Sequence, residues 1–281
     1  MSNLIKRHFY NGTHYQLDKE TKQVKLLPEF HNKLKNKKLW NKFGFKKIGG
    51  SSVGDVLLEG MFNSSFAAFC RLSWIGLPIL DRKYVDAGII IEPKLIQVLE
   101  EKLTKDFERA IKVKTFKPED YNFDLFQNQN TVVGGIPDGY IEELSTIIEI
   151  KTTNEKNYDN WQKFGIPESY KRQAQLYAYL IGADIFSIVA TFLREEDYLN
   201  PSEFDIFNRK IKNWSFKLDH DVAQDDINKI KKWYSQVTNS GISPPYNETK
   251  DADLVAWLEC KTPIEWETLK ETWIEQRKLV I

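Results

Sequence analysis

Cysteine, histidine and long apolar runs are all scarce in this sequence. The 281 residues contain 2 cysteines and 4 histidines. Two cysteines provide neither a disulfide framework nor a zinc site, and the histidines lack the spacing of metal ligands. The sequence contains no run of about 18 apolar residues, so no membrane span is predicted. The first residues also lack the apolar stretch of a signal peptide. We therefore expect Cys70 and Cys260 to be reduced core thiols in a cytoplasmic protein that does not enter a membrane.

An excess of charge of either sign is also missing. The 40 basic residues are balanced by 40 acidic residues, which excludes a general nucleic-acid polycation, so any phosphate contact must come from local clusters. One cluster between residues 33 and 47 contains only basic charges: Lys33, Lys35, Lys37, Lys38, Lys42, Lys46 and Lys47. Trp40, Phe43 and Phe45 are interleaved with these lysines. The cluster fits a nucleic-acid contact or a solvated helix face with aromatic anchors.

The apolar pattern predicts one α/β fold. Apolar residues make up 41% of the chain, enough for a sizeable core. Periodicity and caps predict helices over residues 28–42, 51–58, 64–72, 167–180, 219–237, 251–259 and 263–279, and one long helix or a helix pair over 81–110. They predict a hairpin over 8–27 and strands over 111–116, 131–141, 146–152, 185–193 and 207–218. We expect a central mixed β-sheet flanked by helices.

We expect residues 1–281 to form a single domain with three parts. Residues 46–220 would be its core, and residues 1–45 a hairpin and basic helix appended to it. Residues 221–281 would be a helical C-terminal part. No internal repeat or interface signature indicates an oligomer, although one remains possible.

The segment around residues 138–149 carries the most informative charges. If its turn is centred on Glu143 and Leu144, Asp138 lies opposite Glu149 and the two side chains share one face of a hairpin. A register shift of one residue would separate the two carboxylates. Pro-Asp-Gly in mid-strand favours a functional role for Asp138, because Asp and Gly are disfavoured there.

These charges suggest metal-assisted phosphate chemistry. Adjacent carboxylates stay ionised when a divalent cation lies between them, and magnesium, or manganese in its place, prefers such oxygen ligands. Lys151 lies two residues beyond Glu149 on the same face. Its ammonium could orient the attacking water, stabilise phosphate charge, or accept a proton if a metal favours its neutral form. The alternative is an ordinary hairpin with a surface ion pair between Glu149 and Lys151.

Ile136-Pro137-Asp138 and Glu149-Ile150-Lys151 resemble the signature of the PD-(D/E)XK nuclease superfamily. Within it, the chain looks like the lambda-type exonucleases, also called YqaJ-like viral recombinases, over residues 49–179. The resemblance implies a restriction-endonuclease-like core, magnesium, and hydrolysis of DNA, with double-stranded ends as substrate and exonuclease favoured over endonuclease action. It also implies that the backbone carbonyl of Ile150 is a metal ligand.

The resemblance assigns roles to residues before the hairpin. Ser51, with Ser52 as the fallback, would start a helix at which the serine meets a substrate phosphate; the alternative is a plain N-cap. Glu92, in the pattern Gly-x-x-x-Glu-Pro, would reach the metal from a helix; the alternative is a first-turn glutamate favoured by the helix dipole. Where the family has an arginine for a 5′ phosphate, this chain has Lys46 and Lys47, which can bind phosphate only as point charges.

A helix after the hairpin completes the resemblance. Gln173, in the pattern Gln-x-x-x-Tyr, would touch the substrate phosphate or the attacking water. Tyr170 and Tyr177 share its face of the helix, as supports or as further phosphate contacts. The alternative is an amphipathic helix with polar edge residues.

Two functions of other classes stay open. One is a catalytically inactive nucleic-acid-binding module of the same fold, which the intact Asp, Glu and Lys set disfavours. The other is a protein-interaction domain that uses Trp257, Trp266 and Trp273. Trp266 and Trp273 lie on one helix stripe, which core packing of a terminal helix also explains.

Overall fold

A computed structural model describes residues 6–36, 44–60 and 62–280 of the chain. Six strands lie in this part: β1 Tyr15–Asp18, β2 Gln23–Leu26, β3 Gly139–Ile141, β4 Thr146–Asn154, β5 Ile185–Leu193 and β6 Lys210–Lys217. Ten helices accompany them: α1 Pro28–Lys35, α2 Ser51–Leu57, α3 Ser65–Leu72, α4 Lys83–Phe107, α5 Asn157–Phe164, α6 Glu168–Ile181, α7 Glu195–Leu199, α8 His220–Ser240, α9 Ala252–Glu259 and α10 Pro263–Glu275.

The chain divides into two compact units. The sheet unit comprises residues 49–54 and 82–227. The terminal unit comprises the described residues up to 48, residues 55–81, and those from 228 onwards. The single-domain arrangement with a core at 46–220 stays a prediction.

The sheet unit is built around four strands in the order β3-β4-β5-β6. β4 and β5 are parallel, whereas β3 and β6 pair antiparallel with their neighbours. Helix α4 packs on one face through Ile91 and Leu95, and helices α5 and α6 pack on the other through Trp161 and Ala174. The α/β class and the mixed sheet flanked by helices are therefore confirmed. The apolar run at 185–193 is the interior strand β5, and its almost continuous burial explains why the run is apolar.

The β3–β4 hairpin has the predicted register. Gly139 pairs with Ile148 and Ile141 with Thr146, so the turn is centred between residues 143 and 144. A 3-10 turn over Glu142–Leu144 closes it. Extending the ladder by one pair puts residue 138 opposite residue 149, which is the arrangement that the site requires.

Two strand predictions before this hairpin are wrong. Residues 111–116 contribute only an isolated bridge between Lys114 and Tyr140, and the strand predicted over 131–141 is reduced to Gly139–Ile141. The backbone of Gly135 is engaged elsewhere: its N–H donates to the Asp124 carboxylate, 3.1 Å away, and its φ of +133° is outside the β region. Loop contacts therefore replace ladder bonds in this segment.

Most predicted helices are present, with shifted ends. Ser64 caps α3 by accepting from the N–H of Ala67, and Gly182, with φ +78°, ends α6. The segment predicted over 81–110 contains one helix, α4, over Lys83–Phe107, with Pro93 inside it. Helices α5 and α7 were not predicted. Lys156 precedes α5 in helical conformation and makes no side-chain cap, so the sequence carries no start signal there.

The terminal unit contains the predicted β1–β2 hairpin, with Asp18 paired to Gln23. Cys70 and Cys260 are free and buried. Among the described residues, no helix combines the length and apolar character that crossing a membrane requires. Of the basic cluster, residues 37–43 lie outside the described residues, and Phe45 is buried.

The tryptophans of the terminal helices are core residues. Trp257, Trp266 and Trp273 are 2–6% exposed. Their rings meet edge to face, at 4.8 Å between Trp257 and Trp266 and 5.9 Å between Trp266 and Trp273. The prediction that they form a contact surface for a partner protein is therefore wrong, because their apolar area is already buried.

Candidate active site

The β3–β4 hairpin brings two carboxylates and one ammonium group together. Oδ2 of Asp138 accepts a hydrogen bond from the backbone N–H of Ile150 at 2.6 Å, and Oε1 of Glu149 accepts one from Nζ of Lys151 at 3.2 Å. Glu149 is 1% exposed, and the side chain of Ile150 packs into the core on the opposite face. Strand alternation thus separates the polar site from its apolar support.

Helix α6 adds an amide and an aromatic ring to this site. Nε2 of Gln173 donates to Oε1 of Glu149 at 2.9 Å, and Gln173 is buried. Nζ of Lys151 lies 5.1 Å from the ring centroid of Tyr170, a cation–π distance. Gln173 therefore holds the carboxylate of Glu149 in this structure, whereas the sequence predicted contact with phosphate or water.

Burial and like charge act together on Glu149. Desolvation, followed by the nearby carboxylate of Asp138, raises the pKa of Glu149 well above its ordinary value, although Lys151 opposes the shift. Its second oxygen, Oε2, is buried without a hydrogen-bond partner among the described residues. An ionised carboxylate in this position would need a positive partner on that oxygen.

Glu92 approaches the same site from helix α4. Burial, and then the carboxylate of Asp138, raise the pKa of Glu92 to about 7, while Lys151 lowers it. Glu92 lies in the interior of α4, which begins at Lys83. The alternative of a first-turn glutamate favoured by the helix dipole is therefore wrong, because the dipole effect is confined to the first turn.

Lys151 is held in its charged form. Burial alone would lower its pKa, but the carboxylates of Glu149 and Asp138 outweigh burial and raise it. Its side chain is 18% exposed. In this arrangement Lys151 is a fixed positive charge. It could accept a proton only if a bound cation offset the negative charge of the two carboxylates and so lowered its pKa.

The N-terminus of α2 is anchored to α6. The N–H of Gly50 donates to the hydroxyl of Tyr177 at 3.0 Å, and the buried ring of Tyr177 stacks on Phe126 at 5.7 Å. Burial raises the pKa of Tyr177. Tyr177 thus anchors the start of α2 in this structure, and its contact with phosphate stays a prediction.

The serines lie directly after this anchor. Helix α2 begins at Ser51, so its N-cap position falls on Gly50 rather than on a serine. The side chain of Ser51 is exposed and that of Ser52 is half-buried. Their contact with phosphate stays a prediction.

Lys46 and Lys47 belong to the terminal unit. Nζ of Lys46 lies 3.9 Å from the ring centroid of Trp74, and desolvation there, followed by Arg71, lowers its pKa. The structure thus gives Lys46 an aromatic partner, and the phosphate-binding role of both lysines stays a prediction.

The donor set suits a hard divalent cation in chemistry, but the side chains are turned to internal partners. Among the described residues, no group of three or more His, Cys, Asp or Glu side chains is arranged to hold a metal ion. Asp138 is bonded to the N–H of Ile150, and one oxygen of Glu149 to Lys151 and Gln173. The unpartnered Oε2 of Glu149 and the all-oxygen character of the set are what magnesium requires. To bind a cation, Asp138 and Glu149 would have to exchange these internal partners for it.

Glu92→Gln is expected to stabilise the cation-free protein at alkaline pH. The folded-state pKa of Glu92 is about 7, above the unfolded value of about 4.3. The folded state therefore binds the proton more tightly, and stability falls as pH rises between these values. Because the carboxyl is partly exposed, screening limits the effect to about 1 kcal/mol, or about 2–4 °C in melting temperature.

This effect is measured as the difference in melting temperature between about pH 6 and about pH 8 in EDTA. Glu101→Gln, at an exposed position of the same helix, is the matched control and should behave like the wild type. If the melting temperature of Glu92→Gln depended on pH as that of the wild type does, the pKa of Glu92 would not be raised by Asp138 and burial.

Sequence reasoning missed two pairs of residues that position the site. A Cβ on Gly49 would lie 2.1 Å from the carbonyl oxygen of Gly134, and one on Gly135 would lie 2.3 Å from the hydroxyl of Tyr177. The two Gly-Gly pairs allow the segments before α2 and before Asp138 to pack backbone against backbone. The paired glycines were the available signal.

No protein-family model matches the chain. It is 29% identical over 263 residues to the uncharacterized protein MG373 of Mycoplasma genitalium, covering 79% of this chain and 89% of that protein. The homolog of MG373 in Mycoplasma pneumoniae is 24% identical over 275 residues, covering 83% of this chain and 90% of that protein.

Solved structures similar to the chain include two exonucleases. An alkaline exonuclease of Laribacter hongkongensis has a TM-score of 0.48 and 15% identity, covering 81% of this chain and 100% of that one. A phage-related exonuclease of Haemophilus somnus 129PT has a TM-score of 0.44 and 15% identity, and the match covers 69% of this chain and 96% of that one.

Proposed function

We propose that this protein is a nuclease that depends on a divalent cation and hydrolyses phosphodiester bonds of DNA. The observation that carries the proposal is the hairpin that sets Asp138 opposite Glu149, with the ammonium of Lys151 bonded to Glu149. Glu92, on helix α4, lies within electrostatic range of Asp138 and Lys151. Each of the two glutamates has a raised pKa because of burial and the charge of Asp138. Carboxylates that destabilise one another in this way are typical of catalytic and metal-binding sites.

The residues that would hold the cation are Asp138, Glu149 through its free Oε2, Glu92, and the backbone carbonyl of Ile150. A bound magnesium or manganese ion supplies positive charge to the phosphate oxygens and acidifies water. The same charge relieves the repulsion among the three carboxylates.

Lys151 and Gln173 act as fixed polar groups beside the reacting phosphate. The ammonium of Lys151 is held by Glu149 and by the ring of Tyr170, so it can stabilise charge on the phosphate without reorganising. One N–H of the Gln173 amide is bonded to Glu149. The amide has a second N–H, which can orient the phosphate or the attacking water.

Ser51, with Ser52 as its fallback, would bind a phosphate at the start of α2. The anchor of Gly50 on Tyr177 supports this role, because it fixes the helix start against the helix that carries Gln173. A phosphate-binding role of Lys46 and Lys47, in the terminal unit, is proposed from the resemblance alone. The proposed substrate is double-stranded DNA with free ends, cleaved as an exonuclease.

We expect the wild-type protein to degrade linear duplex DNA with magnesium and to leave it intact with EDTA. Covalently closed circles should persist, because an exonuclease needs a free end. The measurement is gel electrophoresis of end-labelled linear DNA and circular DNA over time. Nicking of the circles would show that the protein acts as an endonuclease instead.

Lys151→Ala is the matched test of the site. Loss of the ammonium should reduce hydrolysis by about 100- to 1000-fold. Lys105→Ala, which removes an exposed lysine of helix α4, should leave it unchanged. DNA that is bound but unchanged by the wild-type protein under all conditions would indicate the inactive binding module instead.

A further inference from the structure

A row of aromatic rings leads from Lys151 to the edge of the sheet. The ring of Tyr170, which lies beside Nζ of Lys151, contacts Trp161 with 5.8 Å between centroids. Trp161 contacts Trp214 of β6 at 6.0 Å. Trp161 is buried, whereas Tyr170 and Trp214 are partly exposed. The rings thus connect the candidate active site with β6, and Tyr170 and Trp214 reach the surface on either side of the buried Trp161.

Strand β6 adds positive charge to this path. It is the last strand of the sheet in the described part of the chain. Because side chains alternate along a strand, Lys210, Lys212, Trp214 and Phe216 share one face. Successive positions on that face are about 6.7 Å apart, which is close to the separation of phosphates in an extended nucleic-acid strand. The spacing suits one lysine for each phosphate.

The two lysines are exposed and available. Nζ of Lys210 lies 4.0 Å from the ring centroid of Tyr158, which is itself partly exposed. This cation–π contact fixes the position of the ammonium without neutralising it. Within the described residues, neither Lys210 nor Lys212 forms an ion pair. Their charge is therefore free to meet an anion.

We propose that these groups bind a single strand of DNA that continues from the active site. The aromatic–lysine strip consists of Tyr158, Tyr170, Trp214, Phe216, Lys210 and Lys212. The ring of Phe216 is stacked on Phe186 and supports the strip from the core side. The exposed parts of the other rings can contact only unpaired bases, since the bases of a duplex are covered by their neighbours, while the lysines bind the phosphates. This proposal rests on the nuclease function proposed above, to which it adds the form of the bound strand.

The test is binding of a fluorescent oligodeoxythymidylate of about 20 nucleotides to the full chain in EDTA, followed by anisotropy at several salt concentrations. For Lys210→Ala/Lys212→Ala we expect about tenfold weaker binding. The slope of log K against log salt should also fall by about 1.4, since each phosphate contact on a single strand contributes about 0.7. Tyr158→Leu should weaken binding about fivefold and leave the salt slope unchanged.

The matched control is Lys105→Ala/Lys117→Ala, which removes two exposed lysines of the same unit and should leave the affinity unchanged. The proposal is overturned if Lys210→Ala/Lys212→Ala binds the single strand as well as the wild type. It is also overturned if the same double substitution weakens binding of a duplex of equal length as much as it weakens binding of the single strand. Because binding is measured without a divalent cation, specific binding by a protein that hydrolyses no DNA would refute the nuclease function alone.

Discussion

Glu149→Gln is expected to reduce magnesium-dependent hydrolysis by about 1000-fold and to raise the melting temperature of the cation-free protein near pH 8. Activity falls because glutamine keeps the size of the side chain but loses the charge that would hold the cation. Stability rises because burial and Asp138 raise the pKa of Glu149. At alkaline pH the folded protein must either bury that charge or take up a proton, and the neutral amide avoids both costs.

A purely structural ion pair would give the opposite result. If Glu149 only compensated the charge of Lys151, its removal would leave a buried ammonium group unpaired, at a cost of about 3–5 kcal/mol. The melting temperature would then fall while hydrolysis persisted. Glu143→Gln, at an exposed position in the turn of the same hairpin, is the control that should change neither quantity.

Magnesium provides a second readout of this substitution. A cation that binds the folded state alone raises the melting temperature by mass action. Scanning fluorimetry with and without magnesium should therefore show a rise for the wild type and none for Glu149→Gln. An equal rise in both proteins would place the cation away from Glu149.

The hairpin and its charges could be predicted from the sequence because they are local. The position of the turn fixes which residues of β3 and β4 face each other, and strand alternation then fixes the side chains on each face. The pairing of Gly139 with Ile148 confirms this register. The same reasoning gave β5 at residues 185–193, since a continuous apolar run of that length fits an interior strand.

The support of the site could not be predicted, because it depends on residues far apart in the chain. Gly50 and Tyr177 are 127 positions apart, and no periodicity relates them. The orientation of Gln173 towards Glu149 depends on how α6 packs on the sheet. Helix periodicity predicts only that Gln173 shares a helix face with its neighbours. Long-range packing therefore determines the parts that sequence patterns leave open.

Gly49→Ala is expected to destabilise the protein by about 3 kcal/mol or more. The new Cβ would lie 2.1 Å from the carbonyl oxygen of Gly134. Both groups are fixed to backbone, so no side-chain rotation relieves the overlap and the two segments must separate. Separation would also withdraw the N–H of Gly50 from the hydroxyl of Tyr177, so hydrolysis should fall together with stability.

Urea denaturation measures this effect as a change in the free energy of unfolding. The matched control is Gly88→Ala in helix α4, where the nearest atom to the new Cβ is Oγ1 of Thr152 at an ordinary 3.6 Å. Alanine in a helix interior stabilises by up to about 1 kcal/mol relative to glycine, so this variant should be as stable as the wild type or more so. Equal stability of the two variants would show that the backbone contact of Gly49 with Gly134 does not form in solution. The start of α2, at which phosphate binding is proposed, would then lack its backbone support from Gly134.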